Sequence, residues 1–470
     1  MKRMTPLVAL ALAGCMSMEP PYVRPDPAIP ASWPAGDAYL RQSEATLPTV
    51  TYRDIFRDPR LQSLIGQALV NNRDLMIAAA NIAAARAQYH IQRAASLPQV
   101  NANAGATRTT TAGASGANTS YTAGVGVPGF ELDLFGRVAS LSHAQLQRFL
   151  ATEAGARATR LTLVANIADA WLLYASDASL LKIAGDTAAS AERSVQLTSA
   201  RLQGGIAPRT DLTQAQQVLE TARADLADQR TALAQDVNLL QLLTGAPVDT
   251  RLLPQSIDEA AATIAELPPG LDSHVLLRRP DVVQAEYQLR AANAEIGAAR
   301  AALFPSISLT GLLGLASNAL AGLFSGGVFT WSASAGASYP IFSGGAGKAN
   351  VQLTRAQRDA AIATYQQAIQ VAFREVSDAL ARRGTMDDQL RAREANLAAA
   401  SDTYRLSDAR YRAGIDPFLS NLIAQRSFYA AQQSLVLSRL ESATNRVSLY
   451  QTLGGDSLQP SGPPSKLSDL

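Results

Sequence analysis

Cysteine occurs once in the 470 residues, at Cys15. That excludes an intrachain disulfide and a Cys-based metal cluster. Histidine occurs three times, at His90, His143 and His274, far apart and without the spacing of a metal motif. Charged residues make up 17% of the chain, against roughly 25% in ordinary soluble domains. The net charge of +2 supplies no broad basic field for nucleic acid. Beyond the N-terminus there is no run of about 18 or more apolar residues, so no transmembrane helix is expected. A chain of this kind that spans a bilayer has to do so as a closed β-barrel. Acidic residues are scattered at helix-surface spacing and form no catalytic constellation. Ser343-Gly344-Gly345-Ala346-Gly347-Lys348 lacks the first glycine of a phosphate loop, and Ala349 stands where a magnesium-binding hydroxyl belongs. It reads as a turn from strand into helix. Neither enzymatic activity nor a metal or cofactor is expected.

What is present begins at the N-terminus. Lys2 and Arg3 precede a short apolar stretch from Leu7 to Ala13, too short to span a bilayer. Leu12-Ala13-Gly14-Cys15 fits the lipobox of bacterial lipoproteins. Residues 1–14 are therefore expected to be a signal peptide and Cys15 the lipid attachment site, a palmitate-type anchor for the mature N-terminus. Met16, rather than Asp, favours outer-membrane sorting by resemblance to Gram-negative lipoproteins. Residues 15–50 are rich in proline (Pro20, Pro21, Pro25, Pro27, Pro30, Pro34) and suit an extended tether.

The rest is written twice. Arg93-Ala94-Ala95-Ser96-Leu97-Pro98 recurs as Arg300-Ala301-Ala302-Leu303-Phe304-Pro305. Ala200-Arg201 … Gly205-Ile206 … Pro208 … Ala215-Gln216 recurs as Ala409-Arg410 … Gly414-Ile415 … Pro417 … Ala424-Gln425. The shift of about 207–209 residues is far beyond a solenoid period of roughly 20–50, so a whole structural half is duplicated. Repeat one is placed at 51–265 and repeat two at 266–454, with Pro268-Pro269-Gly270 at the join and a Gly, Ser and Pro-rich tail over 455–470. Each repeat reads as helix, strand, strand, very long helix, turn, helix. The long segments, Val138 to Gln203 and Gly347 to Arg412, contain no proline. At about 1.5 Å per residue each makes a rod of roughly 100 Å. Leu161, Val164, Ala168, Trp171, Ala175 and Ala178 follow the spacing of a coiled-coil seam.

The strands are of membrane type. From Val328 to Phe342, Phe329, Trp331, Ala333, Ala335, Ala337, Tyr339 and Ile341 alternate with Thr330, Ser332, Ser334, Gly336 and Ser338. An apolar face with aromatics at both ends suits a strand crossing lipid, where Phe329, Trp331, Tyr339 and Phe342 would form an aromatic girdle. Pro305 to Ala316 is its partner. In repeat one Val100, Ala102, Ala104 and Ala106 alternate with Asn101, Asn103 and Gly105. Tyr121, Ala123, Val125 and Val127 return after a loop from Thr109 to Thr119. The barrel strands thus occupy about 98–128 and 305–342, four per chain. Single-chain barrels need about 8 strands, and an open edge in lipid is prohibitively costly, so the chain has to oligomerise. A dimer gives 8 strands and a trimer 12; the pattern of residues alone does not choose.

Phe56-Arg57-Asp58-Pro59-Arg60-Leu61, with Asn72-Arg73-Asp74-Leu75 after it, resembles the opening of the outer membrane factors of tripartite efflux systems, the TolC/OprM-like proteins. Phe130-Glu131-Leu132-Asp133-Leu134-Phe135-Gly136-Arg137 and Leu277-Arg278-Arg279-Pro280-Asp281 resemble them too. Pro21-Tyr22-Val23-Arg24-Pro25 is similar to the lipoprotein branch of that family. The resemblance covers essentially the whole mature chain. It implies a mixed α and β membrane protein: a homotrimer with a 12-stranded outer-membrane β-barrel continued by a long periplasmic α-helical barrel, with an internal two-fold repeat. It also implies a periplasmic adaptor and an inner-membrane pump, usually of the resistance-nodulation-division (RND) type, as partners. Passive efflux of drugs or other toxic solutes, and hence antibiotic resistance, is the function this implies. Type I protein or peptide secretion and a lipid-tethered structural coiled coil are the alternatives.

By the same resemblance, Gly205, Pro208, Gly414 and Pro417 sit at the periplasmic tips that meet the adaptor. The turn chemistry alone also explains these residue types. Leu419 would supply a hydrophobic constriction and Arg426 a polar clasp. Relatives carry an aspartate where this chain has Ile423, so Asp416 or Asn421 takes that role, or the gate is mainly apolar. Six methionines and three histidines form no metal relay, which argues against dedicated copper or silver export. The substrate itself is not readable.

Overall fold

The computed structural model describes residues 17–27, 29–30, 32–34, 51–110, 117–266, 273–324 and 329–455. Cys15, the leader, most of the C-terminal tail and the middle of the Thr109–Thr119 loop lie outside the described residues. Helices α1 (Tyr52–Ile55), α2 (Pro59–Asn71) and α3 (Arg73–Ala94) precede strands β1 (Asn101–Thr110) and β2 (Ala117–Leu132). The long α4 (Arg137–Gln203), then α5 (Arg209–Thr244) and the short α6 (Ile257–Ala261) follow. The second pass is α7 (Pro280–Ala301), β3 (Ser306–Ser317), β4 (Phe329–Ser338), α8 (Ala346–Arg412) and α9 (Phe418–Thr452). None of the described helices is long and apolar enough to cross a membrane.

Two compact units cut across the sequence repeats. One comprises residues 1–27, 80–154 and 284–367; the other comprises 28–79, 155–283 and 368–470. The first unit holds the sheet, in the order β1-β2-β3-β4 with every neighbour antiparallel. Its middle pair, β2 with β3, joins the two repeats. Ala102, Val125, Leu313 and Trp331 lie in one row across the sheet, and Ala104, Ala123, Leu315 and Phe329 in another. The row between them, Asn103, Gly124, Gly314 and Thr330, faces the opposite way. One face is therefore apolar and the other small and polar. The register shifts between Val127 and Phe130, where Pro128 has no N–H for the ladder and the strand bulges.

The strands differ from the expected bounds. β4 ends at Ser338 rather than Phe342, because Pro340 cannot donate to a ladder. Tyr339 and Phe342 are exposed beyond the strand, whereas Phe329 and Trp331 are exposed within it. β1 runs on to Thr110 and β2 starts at Ala117 and reaches Leu132, so the loop is shorter and the return strand longer than the sequence suggests. Antiparallel pairing extends residue by residue into polar Thr107, Arg108, Thr109 and Thr110, which periodicity does not mark.

An extended N-terminal strap is bonded to α7 in the same unit. Arg24 grips Glu286 through Nε at 3.0 Å and Nη2 at 2.5 Å, and Arg290 holds the same carboxylate at 2.6 Å. Burial pushes the Glu286 carboxyl up, but the two guanidiniums outweigh it and hold it below its ordinary range. Asn293 donates to Pro20 O at 2.8 Å and Arg300 to Met18 O at 3.3 Å. A Cβ at Gly297 would lie 2.8 Å from Glu19 Cα, so only glycine admits the strap so closely.

In the second unit the seam of α4 is buried from Leu161 through Val164, Ala168, Trp171 and Ala175. The Trp171 indole donates to Leu252 O at 3.0 Å, and the Arg60 guanidinium lies 5.7 Å above its ring. Phe56 packs edge-on against Tyr450 at 5.2 Å, and Arg57 N–H donates to Thr263 O at 3.0 Å. The first and last helices of this unit are stitched together there.

Candidate functional site

Two turns carry the candidate tip residues, both in the second unit. One joins α4 to α5 and the other joins α8 to α9. Their backbones repeat. Ile206 N–H donates to Arg201 O and Ile415 N–H to Arg410 O, each at 2.9 Å; Gly205 N–H donates to Leu202 O and Gly414 N–H to Tyr411 O, each at 3.0 Å. This pair of bonds closes a helix when the residue after the cap is left-handed, and Gly205 and Gly414 have φ of 70° and 75°. Pro208 and Pro417 then cap the returning helices with ψ of 156°. Both turns leave an isoleucine, Ile206 and Ile415, exposed to solvent.

They differ in one decisive place. Arg410 holds both oxygens of Asp416, at 2.7 and 2.9 Å, and this guanidinium keeps the Asp416 carboxyl below its ordinary range. The first turn has Ala207 where the second has Asp416. Arg201, the counterpart of Arg410, therefore has no acid in its own turn and reaches across instead. Its guanidinium lies 4.4 Å over the Tyr411 ring. Its Nη2 donates to Tyr411 O at 3.1 Å and Arg412 O at 3.0 Å. The hairpin of α4 and α5 is thus fastened to the end of α8. Farther from the turns, the hydroxyls of Ser190 and Tyr404 lie 3.0 Å apart, and Tyr429 donates to Asp225 at 3.0 Å. Sequence reasoning used Arg201 only as a repeat marker. Its missing acid was visible in the alignment of the two turns.

Along the start of α9, Leu419, Ile423, Arg426 and Ala430 are all exposed and share one helical face at four- and three-residue steps. Leu419 is 52% and Ile423 58% exposed. Arg426 is the only charged side chain among these four. Asn421 does not join this face. It is 2% exposed; its amide reaches Asp408 at 3.5 Å, while its Oδ1 has no partner among the described residues. Asp416 is paired with Arg410 within the second turn. An apolar pair, Leu419 and Ile423, remains, with Arg426 one turn farther along. Phe418 and Leu422 turn the other way, into a small core with Tyr411 and Ala215.

The sheet, in the first unit, is a second candidate site. β1 and β4 each have one edge without a partner among the described residues. Its apolar face leaves Val125, Leu309, Leu313, Phe329 and Trp331 exposed to solvent in the single chain. Open edges and an open apolar face on one sheet fit a barrel wall in lipid.

Comparison with known proteins decides the family. The outer membrane efflux protein family model matches this chain twice, over residues 64–246 and 271–455. The chain belongs to the outer membrane efflux protein family. It is 42% identical over 466 residues to the probable efflux pump outer membrane protein TtgC of Pseudomonas putida, covering 97% of this chain and 96% of that one. It is 40% identical over 455 residues to the outer membrane protein OprJ of Pseudomonas aeruginosa, with 96% and 94% covered. Among solved structures it resembles the open-state MtrE outer membrane channel of Neisseria gonorrhoeae at 34% identity with a TM-score of 0.84, covering 94% and 98% of the two chains. CusC is similar at 36% identity and the same TM-score of 0.84. As an outer membrane efflux protein the chain is an outer-membrane channel component and not an enzyme.

The stretches that carry the family resemblance of this outer membrane efflux protein lie at its joints. Phe56 is fully buried. Asp58 caps α2 and binds Arg60 at 2.8 Å. Glu131 and Arg137 bridge the end of β2 to the start of α4 at 2.5 Å, and Phe135 stacks on Phe304 at 4.7 Å. Arg279 binds Asp281, Glu375 and Thr452 O within 3.1 Å. They fix the junctions between these elements.

Proposed function

We propose that three copies of this chain form the exit duct of a tripartite efflux pump, lipid-anchored in the outer membrane through Cys15 and extending into the periplasm. The carrying observation is the four-stranded sheet with one apolar face and two edges unpaired among the described residues, which three copies close into a 12-stranded barrel. The polar face of Ser, Thr, Asn and Gly lines a wet lumen. A periplasmic adaptor meets the turns at Gly205, Pro208, Gly414 and Pro417, and an RND-type pump in the inner membrane supplies the energy. Relatives are named as antibiotic, toluene and solvent efflux components, so small toxic solutes of that kind are the cargo. Those names favour efflux over protein secretion. The apolar sheet face argues against a tethered coiled coil.

The gate is mainly apolar. Leu419 and Ile423 of three chains meet as two rings that exclude water when closed, and the Arg201 latch holds the hairpins in that position. In a planar bilayer the purified oligomer conducts weakly, and Leu419→Ala and Arg201→Ala each raise the single-channel conductance severalfold. Unchanged conductance in both variants places the constriction elsewhere. No conductance from any intact oligomer rejects the duct. For the anchor, cells fed labelled palmitate incorporate label into the wild type and not into Cys15→Ser; label in both removes Cys15 as the attachment site.

A further inference from the structure

Asp177 on α4 and Asp236 on α5 face each other across the first helical hairpin: Tyr174, one turn before Asp177, and Val237, next to Asp236, pack against one cluster, and each carboxyl perturbs the other. Asp236 is 5% exposed, and its Oδ2 has no hydrogen-bond partner among the described residues. Its neighbours are apolar: Leu240, one turn on, packs with Ala170 and Leu253, and Val237 and Tyr174 pack against that cluster. Two carboxyls facing each other in such surroundings cannot both ionise without strong repulsion. One proton between them turns the contact into a bond.

Among the described residues no cation pairs with either carboxyl. Among elements packed on α5, Arg60 of α2 is taken up by Asp58 and Glu259. On α9, Arg439 is bound to Asp258 and Glu394, Arg446 to Glu266, and Tyr429 to Asp225. In the segment after α5, Arg251 pairs with Asp249. On α4 itself, Lys182 pairs with Asp186. Tyr174 is near enough for the Asp236 carboxylate to disfavour its ionisation, though burial does more. Asp169, two turns before Asp177, is another buried acid, pushed up to about 7 by burial, and its Oδ1 is unpartnered. Arg230, Arg223 and Asp228 on α5 make no bond to either carboxyl among the described residues.

We propose that Asp177 and Asp236 form a proton-sharing clamp between α4 and α5, closed when one proton is held and strained when it is lost, so that the first hairpin loosens as pH rises. Burial raises both carboxyls above their ordinary range, and for Asp236 the neighbouring carboxylate adds to it. In the unfolded chain both carry ordinary carboxyls, near 4. Between that value and neutrality the folded protein binds more protons than the unfolded one, so stability falls as pH rises through this window. Below it, both states are protonated and the contribution no longer changes with pH.

The test is thermal unfolding of the purified full-length oligomer between pH 5 and 8, comparing wild type with Asp236→Asn, Asp177→Asn and, as a control, Asp186→Asn. The wild-type midpoint falls by roughly 3 °C or more across that range. The fall is reduced in Asp236→Asn and Asp177→Asn, whose amides keep a neutral hydrogen bond, to the share that buried Asp169 contributes, and it persists in full in Asp186→Asn. Parallel pH profiles for all four proteins overturn the clamp. Asp177→Asn, at the more exposed partner, decides the matter where Asp236→Asn does not assemble. The readout is melting and not conduction, so failure of the duct proposal leaves this result interpretable.

Discussion

Ala335→Arg abolishes assembly of the oligomer in the outer membrane, whereas Ser334→Arg, one residue away, leaves it largely intact. Ala335 stands opposite Leu309 in the ladder and Ser334 opposite Thr310. Neighbouring residues of a strand face opposite ways, so the first substitution falls on the apolar face and the second on the polar one. A lipid-facing arginine near the bilayer midplane costs about 2–4 kcal/mol. A homotrimeric barrel carries three such arginines, so the cost approaches the roughly 5–15 kcal/mol of total stability typical of a folded protein. Arginine on the polar face projects into water. The measurement is the heat-modifiable oligomer band in outer-membrane fractions. Equal assembly of the two variants refutes the assignment of faces, and with it the barrel reading.

Trp171→Ala destabilises the protein by about 3–5 kcal/mol, the range for removing a large buried aromatic. Trp171 is fully buried. Its indole bond to Leu252 O is lost, leaving the carbonyl of half-buried Leu252 without that donor. The Arg60 guanidinium above the ring also loses its support. Trp171→Phe separates these contributions: it keeps most of the aromatic volume but loses the N–H, so it costs less than Trp171→Ala, about 1–3 kcal/mol. Denaturant midpoints of the detergent-solubilised oligomer read both. A Trp171→Ala midpoint equal to wild type contradicts the role of the α4 seam as the core of the second unit.

The two effects act on different units of the molecule. Ala335→Arg acts on insertion and closure of the sheet and leaves the helical packing around Trp171 untouched. Trp171→Ala weakens that packing and leaves the strand faces as they were.

Local order was legible in the sequence because it depends on local rules. Period-two alternation marked the membrane-type strands and assigned Phe329, Trp331, Ala333 and Ala335 to one face. Unbroken, proline-free stretches gave α4 and α8 to within one residue of their observed starts. Glycine and proline placed the two turns. The absence of transmembrane helices, together with four strands, required assembly. The tertiary structure decided whatever depends on residues far apart in the chain. Proline 340 ended β4 early, and polar Thr107 to Thr110 were drawn into β1 by the partner strand's backbone, which hydrogen-bonds regardless of side chain. Asn421 was buried because Asp408 and the second hairpin close around it. Arg201 crosses to Tyr411 because its own turn offers Ala207. Asp177 and Asp236 became one group because two helices bring them together. Propensity and periodicity are set by near neighbours in sequence. Partners such as these are chosen by where folded helices and strands come to lie, and a single residue's type carries no record of that.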